Sequence, residues 1–380
     1  MKALHVITGL GVGGAEQQLR LLLRHLPAQC DVVTLTNPGP VAEGLTADGV
    51  EVTHLGMTGN RDVGVLPRLT RLIRAGGYDL VHTHLYRACL YGRIAARIAG
   101  VEAVVATEHS IGATRLEGRP HSAGVRGLYL AGERLGRTTV AVSPTVAERL
   151  RHWGVPGQRI RVIPNGIEAP RFRYDAARRK EARAFHGLPE EAYIVGGVGR
   201  LAPGKRFDLL VQALALLPLD VWLLLVGGGP EAEVLRRTAR DLGVADRVVL
   251  TGERPYLPDS RDDAPDLVAL LSAMDVLASP SPEESFGLAV VEALAAGLPV
   301  LYASCPAVED LAADAAPGAR RVTGGAGAYA REVLRLRAAG PGERTVPDVV
   351  HRYDIAHTAR QLMDLYTATL AGSNPEVSSP

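Results

Sequence analysis

Short apolar runs alternate with stretches of helical periodicity through the first half of the chain. Strands are predicted at residues 3–8, 31–35, 51–54, 79–82, 103–107 and 138–142. Helices are predicted at 15–25, 66–75, 87–99 and 125–135, and from Ser143-Pro144 onward, where Ser143 fits an N-cap. Apolar strands that alternate with helices in this way indicate a parallel, doubly wound sheet.

The alternation is interrupted at residues 164–170, where two prolines flank an Asn-Gly pair, and a charged stretch, 171–183, follows. We interpret these segments as a linker and the start of a second domain. The pattern then resumes, with strands predicted at 193–198, 221–226, 247–251, 276–278 and 299–302 and helices at 206–216, 231–242, 267–273, 288–296 and 328–336. An amphipathic helix is predicted at 354–370. The resulting domains are 1–168 and 169–353, then a C-terminal helix, 354–371, and a disordered tail, 372–380.

Composition narrows the class of protein. The chain has 380 residues, 47% of them hydrophobic, which suits two domains, each with its own core. A net charge of +1 lacks the excess of positive charge that is typical of nucleic-acid-binding proteins, so we expect no nucleic-acid partner. Three scattered cysteines predict neither a disulfide framework nor a zinc site. The first residues enter a strand at once and no run of about 18 apolar residues occurs, so we expect a cytoplasmic protein without a membrane span.

The most informative stretch is 279–294, where a strand leads through a proline-rich turn into a helix. It carries two carboxylates, Glu284 in the turn and Glu292 about two turns into the helix. Backbone N–H groups at a helix start suit a phosphate, and carboxylates on either side suit sugar hydroxyls. The alternative is the acid and base of a glycosidase, which would leave the cations and glycine loops described next without a role.

Glycine-rich turns follow the first strand of each predicted sheet. Gly9, Gly11 and Gly14 match the G-x-G-x-x-G pattern. However, residues 34–37, at and just after the end of the second predicted strand, lack the acid that binds ribose in NAD proteins, so we disfavour NAD. Either the loop is a tight turn without a ligand, or Gly13 and Gly14 let a phosphate or sugar approach the backbone.

In the second half, Arg200 and Lys205 flank a Pro-Gly turn after a strand. A guanidinium fork and an ammonium at such a position suit a diphosphate, and the alternative is a solvated basic turn. Gly227-Gly228-Gly229 follows the next strand and fits either a bare turn or part of a nucleotide pocket.

Other candidates carry less weight. His82 and His84 share one face of a strand, but no third ligand is identifiable, so we predict no metal site and assign His84 to the acceptor side. Ser143 and Ser285 lack a histidine at a recognisable spacing, so a nucleophilic serine is unsupported. The segment 111–126 is basic and glycine-rich, and it is either a solvated loop or a lid over the acceptor.

Taken together, these segments resemble the retaining GT-B glycosyltransferases of family 4. The matching motifs, in order along residues 1–305, are Gly13-Gly14-Ala15-Glu16, Thr107-Glu108-His109, Ser143-Pro144, Pro164-Asn165-Gly166, Gly199-Arg200 through Lys205, Gly227-Gly228-Gly229-Pro230, Thr251-Gly252 and Pro280-Ser281 through Glu292. The spacing from Glu284 to Glu292 is that family's E-x7-E signature. The resemblance implies a GT-B fold: two Rossmann-like domains face each other across a cleft, and the C-terminal helix crosses back to the first domain.

The resemblance also implies a role for each matching residue. Arg200 and Lys205 would hold the donor diphosphate electrostatically, without a metal or other cofactor. Glu284 would bind donor-sugar hydroxyls and Glu292 ribose hydroxyls. The remaining implied positions are Phe286, Gly287 and Leu288 beside Glu284, Gly229 at the nucleotide, Gly13 and Gly14 at the phosphate, and His109 near the donor sugar.

The sequence departs from the family after Leu301. The glycines of the usual Gly-Gly-x-Pro-Glu element are absent, and Glu309 is the candidate remnant of its acid. We therefore expect a glycosyltransferase that moves a sugar from a nucleotide sugar to a hydroxyl of a natural-product intermediate or of a lipid-linked or polysaccharide acceptor, with retention. Peripheral membrane contact stays open for the second acceptor class. The alternatives are a GT-B nucleotide-sugar epimerase and an inactive nucleotide-sugar-binding subunit.

Overall fold

The computed structural model describes residues 1–59, 62–112, 115–116, 119–254, 256, 264–312, 314–340 and 342–372. The chain divides into two compact units. The first is Met1–Gly166 together with the chain from Ile355 onward, and the second is Ile167–Asp354. The sequence placed the corresponding boundaries at 168/169 and 353/354. Most of the predicted tail, residues 373–380, lies outside the described residues.

The first unit is built on a seven-stranded sheet. Its strands are β1 (Lys2–Gly9), β2 (Gln29–Asn37), β3 (Glu51–His54), β4 (Leu80–His84), β5 (Val104–Glu108), β8 (Thr138–Ala141) and β9 (Ile160–Val162). Two short strands, β6 (Arg115–Leu116) and β7 (Arg119–Pro120), form a separate hairpin. Its helices are α1 (Gly14–His25), α2 (Gly39–Ala47), α3 (Val65–Gly76), α4 (Tyr86–Ala99), α5 (Ala123–Glu133), α6 (Pro144–Trp153) and, at the end of the chain, α15 (Ile355–Leu370).

The sheet order is β3-β2-β1-β4-β5-β8-β9, and every pair is parallel. The chain winds outward from β1 in one direction and then from β4 in the other. The strand order therefore reverses between β1 and β4, which is where open parallel sheets bind ligands beyond the strand carboxyl ends. The residues that follow these two strands are the Gly9–Gly14 loop and the His84 segment.

The second unit repeats the design with six strands. They are β10 (Tyr193–Val198), β11 (Val221–Val226), β12 (Val248–Leu250), β13 (Val276–Ser279), β14 (Val300–Tyr302) and β15 (Ala319–Arg321). The helices are α7 (Ala176–Phe185), α8 (Asp208–Leu214), α9 (Ala232–Asp241), α10 (Leu267–Ala273), α11 (Leu288–Ala295), α12 (Pro306–Glu309), α13 (Ala326–Ala338) and α14 (Val349–Arg352). The order β12-β11-β10-β13-β14-β15 is again parallel and reverses between β10 and β13.

Helix α7 lies where the sequence analysis placed the linker and the start of the second domain. Asp175 caps its start by accepting hydrogen bonds from the N–H groups of Ala177 and Arg178. Arg179 and Arg183 then hold the helix to the sheet, since both guanidinium groups bond to Asp275 at 2.8 and 2.9 Å. Arg183 is almost fully buried and also donates to backbone carbonyls, so an arginine occupies a position where a pattern analysis expects an apolar residue.

The last helix, α15, belongs to the first unit. It packs against α1, and Thr358 donates to the carbonyl of Pro164 at 3.1 Å. Gln18 on α1 bonds both ways to the Gly166 backbone, at 2.7 and 3.0 Å. A side chain at Gly166 would collide with Ile355, so glycine lets the two chain segments approach. In the part of the chain that the structure describes, no helix is both long and apolar enough to span a bilayer.

Candidate functional site

In the first unit, the predicted site residues His84 and His109 lie at the carboxyl edge of the sheet. His84 is the last residue of β4, and His109 follows β5 directly. The two rings meet at 3.1 Å between His84 Nδ1 and His109 Nε2. Leu85, the next residue after His84, has φ 71° and ψ 152°, a region that is almost confined to glycine. A conformation that costs about 1–3 kcal/mol therefore lies beside the candidate site.

His84 and His109 belong to a larger buried cluster. His5 on β1 lies opposite His82 on β4 in the parallel register. His5 Nδ1 contacts His84 Nε2 at 3.0 Å, and Tyr366 of α15 contacts His82 Nδ1 at 2.5 Å. His5 and Tyr366 were missed in the sequence analysis. A single histidine inside the apolar run of β1 was the available signal for His5, whereas Tyr366 matched an ordinary apolar position of a helix.

Burial keeps these histidines uncharged. It lowers the pKa of His5 to about 3 and that of His109 to about 4. The pKa values of His82 and His84 lie well below the ordinary value, because of burial first and the neighbouring rings second. Desolvation penalises the imidazolium form, so each ring carries one proton near neutral pH.

The argument against a metal at His82 and His84 rested on the lack of a third ligand, and that argument was wrong. His5, His82 and His84 each offer a nitrogen, and these atoms lie within 4.8 Å of one another. However, the same nitrogens already take part in hydrogen bonds with each other, with Tyr366 and with Thr107. The cluster is therefore satisfied as a hydrogen-bonded set.

The Gly9–Gly14 loop contacts the residues that follow β2. The N–H of Leu10 donates to the carbonyl of Asn37 at 2.8 Å, and the N–H of Val41 donates to the carbonyl of Leu10 at 3.2 Å. Gly13 is the N-cap residue of α1 in an extended conformation, and a side chain there would overlap the carboxylate of Glu16. Because Glu16 meets this position with the far end of a flexible side chain, the overlap does not by itself require glycine, and contact of Gly13 with a substrate stays a prediction.

In the second unit, Lys205 and Glu284 form a direct ion pair. Lys205 Nζ and Glu284 Oε1 are 2.5 Å apart, although the two residues follow different strands, β10 and β13. The Lys205 side chain is 34% exposed and that of Glu284 is 15% exposed, so the pair is accessible from one side. Arg200 lies on the same turn as Lys205 and is exposed. The structure therefore brings together one predicted cation and one predicted carboxylate where the strand order reverses.

The turn that carries Glu284 ends in a helix start shaped by Gly287. Gly287 has φ 100°, and its carbonyl accepts from the N–H groups of Val290 and Val291. The N–H groups of Leu288 and Ala289 begin the helix and have no acceptor within it. Phe286 is buried edge-on against Tyr353 at 5.0 Å between ring centroids. The Phe286 ring is thus part of the core and its carbonyl accepts from the N–H of Ala307 at 2.9 Å, so contact of Phe286 and Gly287 with a ligand stays a prediction.

Two glycine turns of this unit pack backbone against backbone. The N–H of Gly199 donates to the carbonyl of Val226 at 2.9 Å, and that of Leu201 to Gly228 at 2.8 Å. A side chain at Gly227 would overlap the Gly199 carbonyl, and one at Gly229 would overlap the Leu201 carbonyl. These glycines let the Arg200 turn and the 227–229 turn support each other. Contact of Gly229 with a nucleotide stays a prediction.

Glu292 lies one turn into α11, not the two turns that the sequence suggested, and it is 4% exposed. Burial raises the pKa of Glu292 to about 7, against the opposing effects of the Tyr256 hydroxyl and Arg171. Arg171 in turn lies over the Tyr256 ring, 5.8 Å from its centroid. The sequence analysis found Glu292 but missed Tyr256, which has no motif of its own.

This pKa predicts a pH-dependent effect of Glu292→Gln. The folded-state pKa is higher than the unfolded one, so the folded protein holds the extra proton and the wild type loses stability as pH rises from about 4.5 to 7. The glutamine variant lacks this loss. We expect its free energy of unfolding, relative to wild type, to rise by about 2.5 kcal/mol between pH 5 and pH 8.

Urea unfolding of the two proteins across this range measures the difference. Glu190→Gln, at an exposed glutamate of the same unit, is the matched control for the loss of a carboxylate. A constant difference for Glu292→Gln would contradict the raised pKa.

The segment that departs from the family is ordered around Glu309. Its Oε2 accepts from the N–H of Cys305 at 3.0 Å and from the Ser304 hydroxyl at 3.4 Å. Cys305 fills the space beside Gly287, where a side chain on Gly287 would lie 2.5 Å from its sulfur. Glu309 thus holds the loop after β14 against the turn that carries the candidate site.

Comparison with known proteins adds family relationships to this geometry. The model described as Glycosyltransferase Family 4 matches residues 12–171, and the model described as Glycosyl transferases group 1 matches residues 178–339. The D-inositol 3-phosphate glycosyltransferase of Nocardia farcinica is 32% identical over 324 residues, covering 78% of this chain and 67% of that protein. The protein of the same name from Salinispora arenicola is 28% identical over 336 residues, covering 80% of this chain and 72% of that protein.

Two solved structures share the fold. The crystal structure of Anabaena Alr3699/HepE in complex with UDP-glucose aligns with a TM-score of 0.82 at 22% identity, over 97% of this chain and all of that chain. Sucrose-phosphate synthase from Thermosynechococcus elongatus aligns with a TM-score of 0.75 at 23% identity, over 98% of this chain and all of that one. At these identities the likeness establishes the architecture of two Rossmann-like domains.

Proposed function

This chain belongs to glycosyltransferase family 4, and we propose that it transfers a sugar from a nucleoside diphosphate sugar to an acceptor hydroxyl with retention of configuration. The observation that carries the proposal is the Lys205–Glu284 pair beside the start of α11. A cation for phosphate, a carboxylate for hydroxyls and the N–H groups of the first helical turn match the parts of a nucleotide sugar. Alr3699/HepE, which shares the fold, was crystallised with UDP-glucose, so UDP-sugars are the first donors to test.

In the proposed reaction the chain acts mainly through electrostatics. As the glycosidic C–O bond breaks, negative charge grows on the leaving diphosphate, and Lys205 and Arg200 stabilise it without a metal. Glu284 exchanges its contact with Lys205 for hydroxyls of the donor sugar, so donor binding releases the ammonium toward the phosphate. The leaving phosphate oxygen accepts the proton of the attacking hydroxyl on the same face of the sugar, which gives retention.

The acceptor is proposed as a small hydroxyl compound. The relatives named D-inositol 3-phosphate glycosyltransferase make inositol and its 3-phosphate the first compounds to test. Lipid-linked and polysaccharide acceptors form the second group.

The test incubates the protein with UDP-, GDP-, ADP- and dTDP-sugars, each with and without acceptor, and follows nucleotide release and the anomeric configuration of the product. We expect acceptor-dependent release of one nucleotide and a product with the donor's configuration. An epimerised sugar formed from donor alone would support the epimerase alternative instead. Donor binding without turnover across the acceptor panel would support the inactive binding subunit.

A further inference from the structure

A chain of hydrogen-bonded rings runs through the first unit, from β5 to the C-terminal helix and back to the candidate site. Its members in order are Thr107, His82, Tyr366, His5, His84 and His109. The successive contacts are 2.7, 2.5, 3.5, 3.0 and 3.1 Å. All members except His109 are buried, so water does not compete for these hydrogen bonds.

This run of hydrogen bonds has a donor-to-acceptor direction, because each imidazole ring in it is neutral. A neutral imidazole donates through one nitrogen and accepts through the other, so fixing one ring fixes its neighbours. Two arrangements satisfy every contact. In one, Tyr366 donates to His82, and His109 ends the chain with a bare Nδ1. In the other, Tyr366 donates to His5, and His109 ends with an N–H at Nδ1.

The Tyr366 hydroxyl is the branch point, and its two contacts are unequal. It lies 2.5 Å from His82 Nδ1 but 3.5 Å from His5 Nε2. A phenol has one proton to donate and uses it where the acceptor is near, which here is His82. We propose that Tyr366 fixes the direction of this chain, so that His109, which the family resemblance places near the donor sugar, presents a bare Nδ1 that can accept a hydrogen bond from a substrate hydroxyl.

The environment of His109 is consistent with an Nδ1 that accepts a hydrogen bond from a ligand. Its Nδ1 is buried and has no hydrogen-bond partner among the described residues. His109 and Thr107 also line a cavity of about 30 Å³, together with Asn165 and Thr358. That space holds one water molecule or one hydroxyl group. A bare Nδ1 selects a hydrogen-bond donor such as a hydroxyl and disfavours a group that can only accept.

The identity of the ligand rests on the proposed function, but the donor-to-acceptor direction of the hydrogen-bond chain does not. The first experiment therefore uses the free protein labelled with ¹⁵N-histidine. Long-range proton–nitrogen spectra separate protonated from bare ring nitrogens, and His109→Asn identifies the His109 signals by their loss. We expect a bare Nδ1 and a protonated Nε2 for His109 in the wild type. A protonated Nδ1 would overturn the proposal, as would one equivalent of metal bound to the purified protein.

Tyr366→Phe tests the cause of the direction. Without the hydroxyl nothing favours either arrangement, so the His109 signals should shift toward a mixture of the two tautomers. Tyr78→Phe is the matched control, because Tyr78 is a hydrogen-bonded tyrosine of the same unit whose hydroxyl donates to Asp31 at 2.8 Å, away from the histidines. An unchanged His109 tautomer in folded Tyr366→Phe would overturn the role of Tyr366. The wild-type spectrum decides the direction of the chain even where the variant fails to fold.

The second readout is kinetic. With the sugar substrate identified, Tyr366→Phe should raise its KM by about 2-fold, because about half of the His109 rings would then lack the bare Nδ1, with a smaller change in kcat. A deoxy analogue that lacks the hydroxyl facing His109 should have the same KM in the wild type and in Tyr366→Phe. A variant that loses kcat alone, with unchanged KM and unchanged discrimination against the analogue, would contradict substrate recognition by Nδ1.

Discussion

Replacing Lys205 by alanine is expected to lower kcat/KM for the nucleotide sugar by about 100- to 1000-fold. In the proposed mechanism the ammonium neutralises the leaving diphosphate, and this charge develops mainly in the transition state. The substitution also removes one ion pair of the Glu284 carboxylate, the contact with Lys205 at 2.5 Å. Donor binding should therefore weaken as well, but by less than the rate falls.

Steady-state kinetics and donor titration on the same preparations separate the two effects. Arg206→Ala is the matched control, because Arg206 is the next residue, is exposed and pairs only locally with Asp208 at 3.0 Å among the contacts described. It should change kcat/KM by less than 2-fold, on the scale of a surface pair. Comparable activity in Lys205→Ala and Arg206→Ala would remove Lys205 from the site.

The second large effect is expected from Gly227→Ala, which should destabilise the second unit by about 3 kcal/mol or more. The added methyl group would overlap the Gly199 carbonyl, and φ at this position is 140°. The 227–229 turn and the Arg200 turn would have to separate, which would break the bonds from Gly199 to Val226 and from Leu201 to Gly228. Activity should fall with stability, because Arg200 lies between these bonds.

Gly243→Ala isolates the contribution of the close approach. Gly243 also has a positive φ, 67°, but a methyl group there meets nothing within 4 Å. It should cost about 1–2 kcal/mol, the strain of the left-handed conformation alone. Thermal and urea unfolding of both variants measure the two values. Equal losses would show that the contact between the glycine turns contributes little.

The periodic strands and helices were predictable because one physical pattern determines each of them. Strands β3, β10 and β11 match their predicted bounds, as does helix α10. Helix α7 was not predicted, because its buried side includes Arg183, whose charge is compensated by Asp275 and by backbone carbonyls far along the chain. Short α2, with Gly39 and a proline in its first turn, also lacks a periodic signal.

The residues of the candidate site also differ in whether the sequence could predict them. Glu284, Lys205 and Gly287 could be found from the sequence because each lies in a local motif with a recognisable turn or helix start. The histidine chain could not, since Tyr366 and His5 are 361 positions apart and meet only in the folded unit. Tyr256 beside Glu292 is a similar case. Residues that act through distant neighbours leave no local pattern.

The placement of α15 in the first unit has a consequence for synthesis on the ribosome. The second unit is one continuous segment, Ile167–Asp354, and all of it leaves the ribosome before α15 does. The first unit, although its larger part is made first, lacks Tyr366 and the packing of α15 on α1 until residues 355–370 emerge. Its completion therefore comes last, and a nascent chain that stops before residue 355 exposes the apolar face of α1 to chaperones and proteases.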